Sequence, residues 1–92
     1  MYLTAYHFEG DPPTLAAAHA RMVELFPPGA LDLHLCVTTG DGIVVFDACP
    51  SREVAEAFRA SPEFLRAVES AGLPTPRAES VGEVVWPIGD RL

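Results

Sequence analysis

Gly40-Asp41-Gly42-Ile43-Val44-Val45-Phe46-Asp47-Ala48-Cys49-Pro50 is a glycine turn running into a strand, and this stretch decides the fold. Ile43 to Phe46 is β-branched and aromatic, with a turn before it and a proline after it, the pattern of a strand covered on both faces. Asp47 is the anomaly. An unpaired buried carboxylate is costly, so this one must be hydrogen-bonded, charge-paired, held neutral or turned to a wet cavity.

Upstream, Leu31-Asp32-Leu33-His34-Leu35-Cys36-Val37-Thr38 alternates strictly. Leu31, Leu33, Leu35 and Val37 share one face, and Asp32, His34, Cys36 and Thr38 the other. Thr39-Gly40-Asp41-Gly42 is a hairpin turn, so the two strands return antiparallel. A loop symmetric about Gly40-Asp41 pairs Thr38 with Ile43, Cys36 with Val45 and His34 with Asp47. The two oddest polar residues thereby become cross-strand neighbours. The same register sets Cys49 opposite Asp32, so Cys36 and Cys49 share a face without opposing one another, which argues against a disulfide.

Towards the N-terminus, Tyr2 to Phe8 reads as a strand, and Gly10-Asp11-Pro12-Pro13 as a helix start capped by Asp11. Leu15, Ala18, His19, Met22, Val23, Leu25 and Phe26 recur at helical spacing, which predicts a helix to about Phe26, stopped by Pro27-Pro28-Gly29. Towards the C-terminus, Ser51 caps a short helix with Val54, Ala57 and Phe58 as its apolar face. Ser61-Pro62 opens a second piece carrying Phe64, Leu65, Val68 and Ala71, with Gly72 at its end. A last strand is expected from about Ala78 to Trp86.

The order strand, helix, strand, strand, helix, strand is the split βαβ arrangement of a ferredoxin-like α+β domain, βαββαβ, with an antiparallel four-stranded sheet and helices on one face. The 92 residues make one domain, 1–92. A hydrophobic fraction of 49% is high for so short a chain, so a second copy is expected to cover the other sheet face, with His34 and Asp47 on it. A net charge of −7, with six scattered arginines and no lysine, excludes a phosphate-binding stripe and hence nucleic acid. No segment reaches the roughly 18 apolar residues of a membrane span, and the N-terminus lacks a signal pattern, so the expected place is the cytoplasm. There the two cysteines read as reduced apolar thiols.

The run Val45-Phe46-Asp47-Ala48-Cys49-Pro50-Ser51-Arg52-Glu53 and the piece Ala60-Ser61-Pro62-Glu63-Phe64 resemble the acidic strand and the start of the later helix in the dimeric α+β barrel superfamily. That superfamily includes antibiotic-biosynthesis-type monooxygenases, muconolactone isomerases and many small actinobacterial proteins. His7, His34 and Ala71-Gly72-Leu73-Pro74 resemble the last group. Phe58 stands where monooxygenase-like members often carry a histidine, and Cys49 where an aromatic commonly follows the acid. The resemblance implies a homodimer, a ligand cavity between sheet and helices or near the dimer interface, and work without a cofactor.

His34 with Asp47 is the candidate catalytic pair, because a carboxylate beside an imidazole fixes its tautomer for acid–base work. The bland alternative is a satisfied polar contact that only sets register. His7 joins them if strands one and three run side by side in parallel. The sequence leaves open whether Tyr6 or His7 faces the cavity, and His7 is favoured as the sole polar group beside Leu3 and Ala5. His19, on the apolar side of a helix, reads as a core or rim residue. No His-x-His or His-x-x-x-His spacing points to a metal. Cys36 as a nucleophile would need a lowered pKa, and Trp86 reads as dimer packing. Two functions follow. One is cofactor-free isomerisation, cyclisation or a lyase step on an apolar or aromatic molecule, with a cofactor-independent oxygenase as close relative. The other is a binding or structural homodimer without chemistry.

Overall fold

The computed structural model describes residues 1–26 and 31–86. The helix stop expected at Pro27-Pro28-Gly29 lies outside them. In chain order the elements are β1 (Tyr2–Glu9), α1 (Pro12–Val23), β2 (Leu33–Thr38), β3 (Gly42–Cys49), α2 (Arg52–Ala60), α3 (Pro62–Ala71) and β4 (Arg77–Glu83). The strands form one antiparallel sheet in the order β2-β3-β1-β4, with the helices on one face, which is the ferredoxin-like α+β fold expected. No helix among the described residues is long and apolar enough to cross a membrane.

The hairpin has the expected register. His34 pairs with Asp47, Cys36 with Val45 and Thr38 with Ile43, and the Thr39 N–H donates to the Gly42 carbonyl at 2.9 Å across Gly40-Asp41. Cys36 and Cys49 are both free. Gly42 is required by space rather than by φ, because a Cβ there would stand 1.9 Å from the Phe8 carbonyl oxygen.

Each helix start is built as its sequence dictates. Asp11 Oδ2 accepts from the Thr14 N–H at 3.1 Å, with Pro12 and Pro13 in the first turn where no N–H is needed. Ser61 does double duty: its hydroxyl donates to the Phe58 carbonyl at 2.8 Å, closing α2, and accepts from the Phe64 N–H at 3.2 Å, opening α3. Gly72 ends α3 at φ 82°, a left-handed position that glycine fills without strain.

Three expectations shift. Helix α1 ends at Val23, because Leu25 and Phe26 bond only three residues back, to Met22 and Val23, and so form a turn. On α2 and α3 the buried sets are Ala55, and Phe64, Ala67, Val68 and Ala71, leaving Val54 and Leu65 exposed. Strand β4 ends at Glu83, short of Trp86, which is exposed.

The core lies between sheet and helices. Tyr6, Phe8, Ile43 and Val45 supply the sheet side, and Leu15, Ala18, Met22, Phe64 and Val68 the helix side. Full burial of Tyr6, Ile43 and Val45 contributes about 1.5–3 kcal/mol each. The other sheet face carries Leu33, Leu35 and Val37 of β2, all exposed, together with Val44 and Phe46 of β3.

Candidate functional site

Asp47 sits inside the structure with only 4% of its surface exposed. It belongs to the face of β3 that carries Ile43 and Val45, and its cross-strand neighbours are His34 of β2 and Thr4 of β1. That face looks at the helices. The expectation that His34 and Asp47 lie on the open sheet face with the second copy is therefore corrected. On β2 the polar side points inward under α1, and the leucine side points outward.

The inward side is satisfied by a residue that sequence reasoning assigned to the core or rim. His34 Nδ1 meets Asp47 Oδ1 at 2.5 Å, and His34 Nε2 meets His19 Nε2 of α1 at 2.7 Å. His19 is 9% exposed and the His34 side chain 27%. The two imidazole planes are 8° apart with centroids 4.9 Å apart. Twice the distance from ring centre to nitrogen, plus the 2.7 Å contact, accounts for that separation, so the rings meet edge to edge through a hydrogen bond and do not stack. A carboxylate, an imidazole and a second imidazole form one line from β3 through β2 to α1. The signal was a lone polar residue at the helical phase of Leu15, Ala18 and Met22, facing a strand whose own polar side needed partners.

Proton positions in this line follow from chemistry. The Asp47 carboxylate accepts the Nδ1–H of His34, so a neutral His34 presents an unprotonated Nε2, and the Nε2–H of His19 donates to it. His19 Nδ1 is then the basic end. Burial, above all, and then the neighbouring His34 hold the His19 pKa below the ordinary imidazole value, while Asp47 opposes them.

His7 does not join this line. Strands β1 and β3 are antiparallel neighbours, and Thr4, Tyr6 and Phe8 share the Asp47 face while Leu3, Ala5 and His7 take the other. On that open face His7 Nε2 pairs with Glu79 Oε1 at 2.9 Å. Tyr6, as its bulk suggested, is turned to the helices. Cys36 lies two residues from His34 on the same side of β2 and is exposed, but partial desolvation of its sulfur pushes the thiol pKa up, against what a nucleophile needs. Among the described residues no three histidine, cysteine or carboxylate side chains gather as metal ligands.

Two cavities of about 440 Å³ flank β1. One lies at the hairpin end beside His7, Glu9, Asp41 and Arg77. The other lies on the helix side between β1, β4 and α3, lined by Tyr6, Arg59, Phe64, Val68 and Ala78 among others.

No protein-family model matches this chain, and no curated protein sequence matches it. Among solved structures it is similar to a crystal structure from Chloroflexus aurantiacus J-10-fl that carries the name antibiotic biosynthesis monooxygenase, at 15% identity and a TM-score of 0.60, over 98% of this chain and 95% of that one. At that identity the likeness establishes a shared fold, the ferredoxin-like fold of that neighbour, and leaves the chemistry to the residues of this chain.

Proposed function

We propose that this chain is a small-molecule-binding, homodimeric α+β barrel protein of the cytoplasm, in which His19, His34 and Asp47 transfer protons without a cofactor. The reaction class is isomerisation, cyclisation or a lyase step on an apolar or aromatic metabolite. The observation that carries this is the unbroken line of contacts, 2.5 Å from Asp47 to His34 and 2.7 Å from His34 to His19. Both nitrogens of His34 are engaged, so His34 relays and His19 Nδ1 is the end that meets a substrate proton. When Nδ1 takes a proton, the Nε2–H of His19 passes to His34 Nε2. The positive charge then rests beside Asp47, where a buried carboxylate stabilises it. His7, on the opposite sheet face, stands outside the relay.

The exposed leucines and valine of β2 support the dimer, because a second copy laid on the open face removes them from water. The named oxygenase with this fold supports a second reading, in which the same relay deprotonates an electron-rich substrate that then supplies electrons to oxygen.

The test is to screen aromatic and apolar metabolites for thermal stabilisation, then follow solvent deuterium incorporation into each hit by NMR. His34→Gln and His19→Gln are expected to abolish exchange while folding and dimerisation persist. Exchange at the native rate in both variants, or loss of the dimer in both, would assign the line to structure and remove the catalytic role.

A further inference from the structure

Helix α3 packs against α1 and α2 rather than against β4, so the helix layer stops short of that edge strand. The wedge left behind is the cavity of about 440 Å³ between β1, β4 and α3, within the size range of pockets that enclose small ligands. Its floor is Tyr6 with its cross-strand partner Ala78, and its wall is Phe64, Leu65 and Val68 of α3. Tyr6 and Phe64 present rings at 5.2 Å and 39°, a tilted aromatic pair.

Two polar groups in this apolar wedge have no side-chain partner among the described residues. Tyr6 is 2% exposed, and no described residue hydrogen-bonds its hydroxyl. Arg59, at the end of α2, lines the same cavity and makes no ion pair with a described residue. A phenol hydroxyl at the cavity wall and a guanidinium with no ion pair among the described residues, beside apolar walls, select an anion on an apolar body, and the planar guanidinium fork matches a carboxylate best. Glu69 on the rim and the chain's net charge of −7 disfavour a second negative charge.

We propose that this wedge is a binding site for a small aromatic monocarboxylate, with Arg59 and the Tyr6 hydroxyl on the carboxylate and the ring against Phe64 and Val68. Its lining shares no residue with the histidine relay, although Asp47 lies on the same sheet face as Tyr6. Burial, and then the nearby Asp47, push the Tyr6 pKa up, so its hydroxyl stays a proton donor.

The probe is 2-naphthoate, titrated with NMR detection of backbone amide shifts, against the neutral isostere 2-naphthamide. Binding of the naphthoate is expected to move Tyr6, Val68 and Ala78, with the amide about tenfold weaker, a difference of about 1.4 kcal/mol. Arg59→Met is expected to bring naphthoate down to the amide's level, and Tyr6→Phe to cost several-fold. Glu69→Gln leaves the floor and wall intact and is expected to tighten naphthoate alone, which keeps the test sound if Arg59→Met fails to fold. His34→Gln is expected to leave this binding unchanged. No binding at about 1 mM naphthoate, equal binding of acid and amide, shifts that map elsewhere, or indifference to both charge variants overturns the proposal.

Discussion

Replacing His34 by leucine should cost more than replacing His34 and Asp47 together. In His34→Leu the Asp47 carboxylate, 4% exposed, loses the Nδ1–H it meets at 2.5 Å and faces methyl groups instead. Removing one partner of a buried charged pair costs about 3–5 kcal/mol, and because 27% of the His34 side chain reaches water, the low end, about 3 kcal/mol, applies. For a domain of this size that is a fall in Tm of about 12–24 °C. Asp47→Leu leaves only an imidazole N–H near the surface, where water replaces the carboxylate, at about 1–2 kcal/mol. The double variant His34→Leu/Asp47→Leu removes the orphaned charge and both polar partners, leaving His19 as the one unsatisfied group, at about 1 kcal/mol. The double variant is then more stable than His34→Leu alone, with a coupling energy of about 3–4 kcal/mol. Urea unfolding followed by far-ultraviolet circular dichroism, at neutral pH or above, measures all four corners of the cycle. Losses that simply add, or a His34→Leu protein as stable as the native one, would refute a buried charge-assisted pair.

Gly42→Ala places a methyl 1.9 Å from the Phe8 carbonyl and forces β1 and β3 apart, so a loss of about 3 kcal/mol is expected in thermal unfolding, against near-neutrality for Gly40→Ala, where the added Cβ meets nothing. Ser61→Ala removes the closing bond of α2 and the opening bond of α3 at once, and should cost about 2 kcal/mol, while Ser61→Thr restores most of it. Acid should destabilise the protein through His19. Its folded pKa lies below the ordinary value of 6.5, so below that pH the unfolded chain holds more protons and stability falls as pH drops, levelling only beneath the folded pKa. Melting temperatures measured down from pH about 8 should be flat to about 7 and then decline, with a shallower decline in His19→Gln.

The hairpin was legible because it is local. A two-residue loop and strict alternation leave a single register that sets Leu33, Leu35 and Val37 opposite Ala48, Phe46 and Val44, and that register alone brought His34 to Asp47. The capping residues Asp11, Ser51 and Ser61 were legible for the same reason, since each acts within three residues. What the chain did not disclose was which side of the sheet the helices would take, because alternation marks two faces without saying what covers either. His19 is buried as expected, but its contact with His34 was not legible, because that partner lies fifteen positions away on another element and only docking of α1 over β2 brings the rings together. His7 failed through topology, since an antiparallel β1 puts Thr4, not His7, beside Asp47.

Strand β2 explains why both covers are needed. As the edge of the sheet it pairs with β3 alone, so its two faces must be stabilised by whatever lies above and below. Its inward residues His34 and Cys36 are too polar or too small to hold α1 by apolar burial, and the bonds from His34 to His19 and Asp47 do that instead. Its outward residues Leu33, Leu35 and Val37 have no cover among the described residues. A strand in which polar residues face the helices and leucines face outward is stabilised on its inner side by the contacts of His34 and, in the proposed dimer, on its outer side by a second copy. One strand would thereby link the proposed relay to the proposed dimer, and Leu35→Glu tests the link. It should give a monomer, and because every residue of β2 alternates across the same backbone, loosening the strand should also weaken the His19–His34 contact, read as a shift in the histidine ring signals by NMR. A monomer with unchanged ring signals would show that the two sides of β2 act independently.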